Sequence, residues 1–243
     1  MKKRIQDATL YSSPFSKGYW QSAAREIHNP KMLVIAAMFV ALRVAVKGIG
    51  RIALGGGLYF SIDFFVNALG SMIYGPIVAI VAAAVSDTIG AILFPAGTYF
   101  LPFMFVEIAG SVIFALFLYR SKLSASRIVL SRFFVVLVCN FLLNPLFIKW
   151  SYDFFELGKS YAFITVPRLA KNAALFPLEA ILLILWLGVF TSVTSRMGLT
   201  YYRYQKEKIT WKLILLLVLL TLVGVGIVLL YVYLKTNELL PWL

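Results

Sequence analysis

The sequence predicts an all-α membrane protein, and three observations predict it. Apolar runs recur along the chain (58–74, 76–94, 128–148, 169–193 and 211–234), each near the roughly 20 residues a helix needs to cross the hydrocarbon core. Hydrophobic residues make up 61% of the chain against 14% charged, with a mean hydropathy of +0.89, which excludes an ordinary soluble domain. The basic residues fall mainly between the apolar runs. The formal charge of +13 therefore reads as a lipid-surface and topology signal, and no nucleic-acid partner is expected.

Taken in order, residues 1–30 are polar and basic and lack a signal-peptide core, so they are expected to stay on the mature chain as an interfacial segment. Tyr19, Trp20, Ala24 and Ile27 fall near one face of a possible helix lying on the membrane surface. Asn29-Pro30 breaks it ahead of the first span, about 31–46. A Gly-rich loop, 48–57, leads to the second span, 58–74, and Gly75-Pro76 turns directly into the third, 76–94. The loop Pro95–Pro102 precedes a fourth span at 101–119; the fifth covers 128–148 and the sixth 169–193. A last run, 211–234, is long enough to span and carries Trp211, Tyr231 and Tyr233 as interface anchors. The expected division is thus 1–30 interfacial, 31–196 a six-helix substrate-binding domain, and 197–243 a basic linker with a seventh helix.

Loop charge sets the direction. With the N-terminus cytoplasmic, the inside holds Lys2, Lys3, Arg4, Lys17, Arg25, Lys31, Arg120, Lys122, Arg127, Arg132, Arg196, Arg203, Lys206, Lys208 and Lys212. The outside holds Lys47, Arg51, Lys149, Lys159, Arg168, Lys171 and Lys235. This bias predicts a multi-pass cell-membrane protein with its N-terminus inside. At ~1.5 Å of rise per residue, Arg43, Asp63, Asn67, Glu107, Asn140, Asn144 and Asn172 then fall in the outer half of the bilayer, Asp87 lies past the midplane on the same side, and Glu179 is nearer the midplane. Ionised groups at that depth are costly unless they pair or line a hydrated cavity, so an outward-facing polar site is expected.

Each polar residue admits a plainer reading as well. Asp87 and Arg43 could form a buried ion pair that fixes helix register, Glu179 could be satisfied by a neighbour, and Arg51, Arg168 and Lys171 could be an interfacial collar. Together they would form a positive rim over acids and amides, suited to an anionic ligand with a polar heterocycle. The aromatics Tyr59, Phe60, Phe64, Phe65, Tyr99, Phe100, Phe103 and Phe105 are available for stacking or packing. On the first span Ala37, Ala41 and Ala45 recur every four residues, a small-residue stripe that fits either a partner helix or an internal one.

Enzyme chemistry finds little to work with. His28 and Cys139 are each the single residue of their type, so neither a metal cluster nor a nucleophile–base pair can be assembled. Gly158-Lys159-Ser160 lacks the upstream glycine of a phosphate-binding loop, where Asp153 stands, and Gly55-Gly56-Gly57 lacks a βαβ setting.

The stretch NALGSMIYGPIVAIVAAAVSDTIGAILFP (67–95) resembles the second and third helices of the S-components of energy-coupling factor (ECF) vitamin transporters. YWQSAAREIHNPKMLVIAAMFVALR, NPLFIKW (144–150) and VPRLAKNAALFPLEAILL (166–183) extend the resemblance over about Tyr19 to Val193, with the last leaning to the folate-specific branch. The resemblance implies a six-helix subunit that binds folate or a related pterin at its outer face. It would pair with a transmembrane coupling subunit and two cytoplasmic ATPase subunits, ATP being used by those partners and no cofactor by this chain. It further implies that Ala37, Ala41 and Ala45 face the coupling subunit. Arg168 and Asn172 would lead the substrate site, with Asn67, Asn144, Arg43, Asp63 and Glu107 around them. The sequence departs from the family pattern at PAGTYFLPFMF (95–105), at Pro145, at Glu107 and in the seventh run. A structural or assembly protein acting through the alanine stripe, an S-component for another vitamin, and an ion-coupled carrier are the competing readings.

Overall fold

The computed structural model describes residues 10–49, 52–55, 58–95, 99–156 and 166–200, together with Leu215, Val218, Leu219, Leu222, Val223, Gly226 and Tyr233. In chain order the elements are α1 (Lys17–Ile27), α2 (Pro30–Ile49), β1 (Ile52–Gly55), β2 (Leu58–Phe60), α3 (Asp63–Leu93), α4 (Phe103–Leu118) and α5 (Ala125–Val135). A π-helical stretch (Val136–Leu143), α6 (Asn144–Phe154) and α7 (Val166–Arg196) follow.

The helical stretch α3 is two helices back to back. Gly75 sits within it at φ 77° and ψ 176°, a region that is essentially glycine's alone, and Pro76 opens the second arm with its φ preset and no N–H to satisfy. The contacts with α2 show the chain reversing there. On the first arm a Cβ at Gly70 would meet Phe39, and Tyr74 packs with Ala36 and, edge-on, with Phe39. On the second arm Val78, Ala79 and Ala82 pack beside the same residues, and Asp87 reaches Lys47. One arm descends α2 and the other climbs it. The tightness of the turn shows at Gly75, where a Cβ would lie 2.9 Å from the ring of Tyr119.

Helix α1 closes the Gly75 end of the bundle. Tyr19, Ala23 and Glu26 are buried, while Trp20, Ala24 and Ile27 are exposed. Polar contacts fix the inward face: Tyr19 donates to the Ala115 carbonyl, and Glu26 accepts from Tyr119 and Arg120, so of the four residues expected to lie on the membrane surface Tyr19 alone is drawn into the bundle.

Two further boundaries differ from expectation. Residues 58–60, expected at the start of the second span, pair instead with Ile52–Gly55 of the expected Gly-rich loop as an antiparallel hairpin, Ile52 opposite Phe60 and Ala53 opposite Tyr59, and the helix starts at Asp63. The strand-favouring Ile52, Tyr59 and Phe60, joined through the glycines 55–57, favour that pairing over a first helical turn. The fifth span is longer than expected, running 125–154 through the π stretch.

Three helical stretches, 63–93, 125–154 and 171–196, are long and apolar enough to cross a membrane, and α4 is a shorter apolar helix. Their exposed positions include Val81, Val85, Ile92, Leu137, Leu142, Leu146, Leu185 and Val189, and α2 adds Leu33, Val34, Met38 and Leu42. A surface of that kind is matched to lipid and would be a liability in water. The chain is a helical membrane protein. Of the last apolar run, the few described positions are helical and exposed; Arg51, the Gly158–Ser160 motif, Trp211 and Tyr231 lie outside the described residues.

Candidate functional site

A cavity of ≈ 660 Å³ opens among the first arm of α3, α4, the α5–α6 stretch and α7. Helical period explains how each contributes. On α7 the lining residues are Arg168, Lys171, Asn172, Leu175 and Glu179, one stripe at i, i+3, i+4, i+7 and i+11. On α4 they are Val106, Glu107, Gly110 and Phe114, and on α3 Asp63, Phe64 and Asn67, with Ser61 just before.

The fifth span needs its π stretch to take part fully. Arg132, Val135 and Cys139 line the cavity in α-helical register, but Asn140, Asn144 and Ile148 follow one residue later than that register would carry them. The wider π turns of Val136–Leu143 absorb the extra residue and turn both asparagines inward.

Of the residues singled out from the sequence, Arg168, Asn172, Asn67, Asn144, Asp63 and Glu107 share this one cavity. Arg43 does not. It is fully buried behind the wall, donating from Nη2 to Glu107 Oε2 at 2.7 Å and from Nη1 to Ser111 Oγ at 3.3 Å. The suggested pair of Arg43 with Asp87 is therefore corrected to Arg43 with Glu107, and Asp87 takes Lys47 at 2.8 Å. Lys47 also lies 3.3 Å from Glu107 Oε1, so one carboxylate serves two cations. The reason is register: Lys47 stands one turn beyond Arg43 on α2 and takes the position facing Asp87. Asp87 is absent from the cavity lining and is further held by Tyr99, which donates to its Oδ2 at 3.2 Å. Partial burial and the neighbouring Asp87 charge hold the Tyr99 phenol above its usual range.

The amides are held in place by protein. Ser71 and Ser111 both donate to Asn67 Oδ1, at 3.2 and 2.7 Å. Asn140 donates to Asn172 Oδ1 at 2.7 Å, and Asn172 donates to the Arg168 carbonyl at 2.8 Å. Asn172 thus ties the fifth span to the first turns of α7.

Arg132 is the residue that sequence reasoning misplaced. Charge counting puts it in a cytoplasmic loop; the structure buries it on the cavity wall, where Nε and Nη2 both donate to Glu179 Oε2 at 3.0 and 2.7 Å. Its guanidinium carbon lies 4.2 Å from the centroid of the Phe64 ring. The signal was available, since an arginine inside the apolar run 128–148 requires a buried acid, and Glu179 is the acid it finds. Among the aromatics named from the sequence, Phe64 lines the cavity. Phe100 and Phe103 pack with Trp150 and Phe147, Phe105 with Phe147, and Phe65 against Trp186. Ala37, Ala41 and Ala45 are all exposed on the outer face of α2.

No protein-family model matches the chain. It is 32% identical over 120 residues to the folate transporter FolT of Clostridium novyi, covering 49% of this chain and 67% of that protein. It is 28% identical over 153 residues to the folate transporter FolT of Leuconostoc mesenteroides, covering 62% of this chain and 81% of the relative. Among solved structures it resembles FolT bound with folic acid, with a TM-score of 0.54 and 27% identity over 63% of this chain and 89% of that one.

Proposed function

Because this chain belongs to the folate transporter FolT family, the folate-specific S-components of ECF transporters, we propose that it captures folate in the cavity described above for import by partner subunits. The observation that carries the reading is the conjunction of a FolT-like fold, solved elsewhere with folic acid bound, and a large cavity whose lining mixes cations, acids and amides. Folate presents carboxylates at one end and a hydrogen-bonding heterocycle at the other, and those two chemistries call for guanidinium or ammonium groups and for carboxylate or amide groups respectively. Arg168, Lys171, Asn172, Asn67, Asn144, Asp63 and Glu107 are the residues assigned to contact or frame the ligand, with Arg43 in support behind Glu107.

In this reading six spans form the substrate domain, with Gly75-Pro76 as the turn between the second and third, and the apolar run 211–234 is a seventh. The N-terminus is cytoplasmic and the cavity faces outward. The stripe Ala37, Ala41 and Ala45, exposed and made of small side chains, meets the transmembrane coupling subunit, and two cytoplasmic ATPase subunits supply the energy of transport. This chain hydrolyses nothing and carries no cofactor of its own. The test is ligand binding by the purified protein in detergent: folate raises its melting temperature and binds stoichiometrically, and Arg168→Ala weakens both effects. Absence of any folate-dependent stabilisation would remove the reading.

A further inference from the structure

At the other end of α7 from Arg168, a second recess lies between the foot of α2 and the last turn of α7. Its volume is ≈ 520 Å³, and it is lined by Pro30, Lys31, Val34, Ile35, Met197 and Leu199, apolar side chains with a single ammonium among them. The way α7 ends gives the recess its shape. Gly198 takes a φ of 66°, and the Leu199 N–H returns to the Thr194 carbonyl at 2.9 Å, a glycine turn of the kind that closes many helices. That turn carries Leu199 back into the core while Met197 stays exposed, as Val34 does on α2. Lys31 bridges the two elements, donating from Nζ to the Met197 carbonyl at 3.5 Å.

The charge here is of one sign. Neither Lys31 nor Arg196, the residue before Met197, has a carboxylate within ion-pair distance among the described residues. Glu26, near the end of α1, is buried and already held by Tyr119 and Arg120. An ammonium has three N–H donors, and the Met197 carbonyl occupies one of them. A wholly apolar occupant would leave this cation without a counter-charge, and a small soluble anion would leave Val34, Ile35 and Met197 uncovered. A molecule with an anionic head and a hydrocarbon tail satisfies both, with the lysine stem lying along the apolar wall and its charge at the head. Phospholipid has that chemistry, and it surrounds a helical membrane protein on every side. In the orientation proposed above, the recess opens at the cytoplasmic leaflet, where anionic lipids gather.

We propose that this recess binds one anionic phospholipid, with the phosphate on Lys31 and an acyl chain along Val34, Ile35, Met197 and Leu199. The site shares no lining residue with the polar cavity and does not depend on what that cavity holds.

The experiment titrates the purified, delipidated full-length protein in detergent with phosphatidylglycerol, with phosphatidylcholine of the same acyl chains, and with inorganic phosphate, counting bound lipid by native mass spectrometry. Wild type takes up one phosphatidylglycerol about fivefold more tightly than phosphatidylcholine, the worth of one basic residue beside an anionic lipid, and inorganic phosphate does not displace it. Lys31→Gln lowers the affinity for phosphatidylglycerol to that for phosphatidylcholine, and Lys31→Arg keeps the preference. Val34→Trp fills the recess and weakens both lipids. Lys31 and Val34 are exposed, so these variants keep the wild-type fold. Equal affinity of the wild type for the two lipids, a Lys31→Gln protein that retains the preference, or displacement of phosphatidylglycerol by inorganic phosphate would overturn the assignment. A dimer that Val34→Trp disperses, found in place of a lipid complex, would overturn it as well.

Discussion

Arg43, wholly buried, donates to Glu107 Oε2 across the α2–α4 interface, and Lys47, one turn further along α2, reaches the other oxygen of the same carboxylate. Neutralising that acid leaves a buried guanidinium without its counter-charge, which costs about 3–5 kcal/mol. Glu107→Gln is expected to lower the melting temperature of the ligand-free protein sharply. Arg43→Met combined with Glu107→Leu recovers most of the loss, since Lys47 keeps Asp87. Thermal melts in detergent of the three proteins check both statements, and equal stability of Glu107→Gln and wild type would show the pair to be idle.

Gly75→Ala meets two separate costs. Its φ of 77° with extended ψ is worth about 1–3 kcal/mol of strain for a side chain, and the new Cβ would press on the Tyr119 ring at 2.9 Å. Tyr119→Ala relieves the second cost and not the first. The double variant is therefore expected to melt below Tyr119→Ala alone, measured in the same detergent.

Asn140 and Asn172 are expected to act as a unit. Because Asn140 donates to Asn172, removing either frees the first turns of α7 from the fifth span, and with them Arg168. Each alanine variant should weaken folate binding. A double-mutant cycle should give a coupling of about 1 kcal/mol, the worth of one hydrogen bond, where independent ligand contacts would give none.

Ala41→Leu separates capture from transport. Ala41 is exposed on α2 and lies outside the cavity lining, so folate binding by the isolated protein is expected to be unchanged. Folate uptake in cells carrying the partner subunits should fall at least tenfold, because a leucine holds the facing helix away from a stripe built for close approach. Unchanged uptake would take the alanine stripe out of the partner interface.

What could be read from the sequence, and what could not, follows from the range of the forces involved. Helix periods and turn residues act locally, so the Gly75-Pro76 reversal and the polar stripe of α7 were legible. The depth argument brought six scattered polar residues into one region because hydrocarbon imposes a single coordinate on every span. Pairing is different, since it depends on helix rotation to within one residue. Arg43 and Lys47 are one turn apart and face two acids, and composition cannot say which takes which. Arg132 was hidden for another reason: counting loop charges treats every basic residue near a span end as solvated, and this one turns inward to Glu179. The first strand of the hairpin was lost because four residues flanked by glycines carry no periodic signal.

The π-helical stretch Val136–Leu143 makes the binding wall a mechanism for changing substrates as well as holding one. A single deletion there would restore α-helical pitch and leave Asn144 and Ile148 facing the cavity, because the π turns accommodate one extra residue. Straightening the same eight residues to α-helical pitch without a deletion would instead swing Asn144 and Ile148 by about 100° relative to Arg132. Gaining or losing the π turns could thus exchange the side chains that one half of the span presents to the cavity while leaving Arg132 in place. Divergence of ligand preference in such a scaffold need not proceed residue by residue; it can proceed by register.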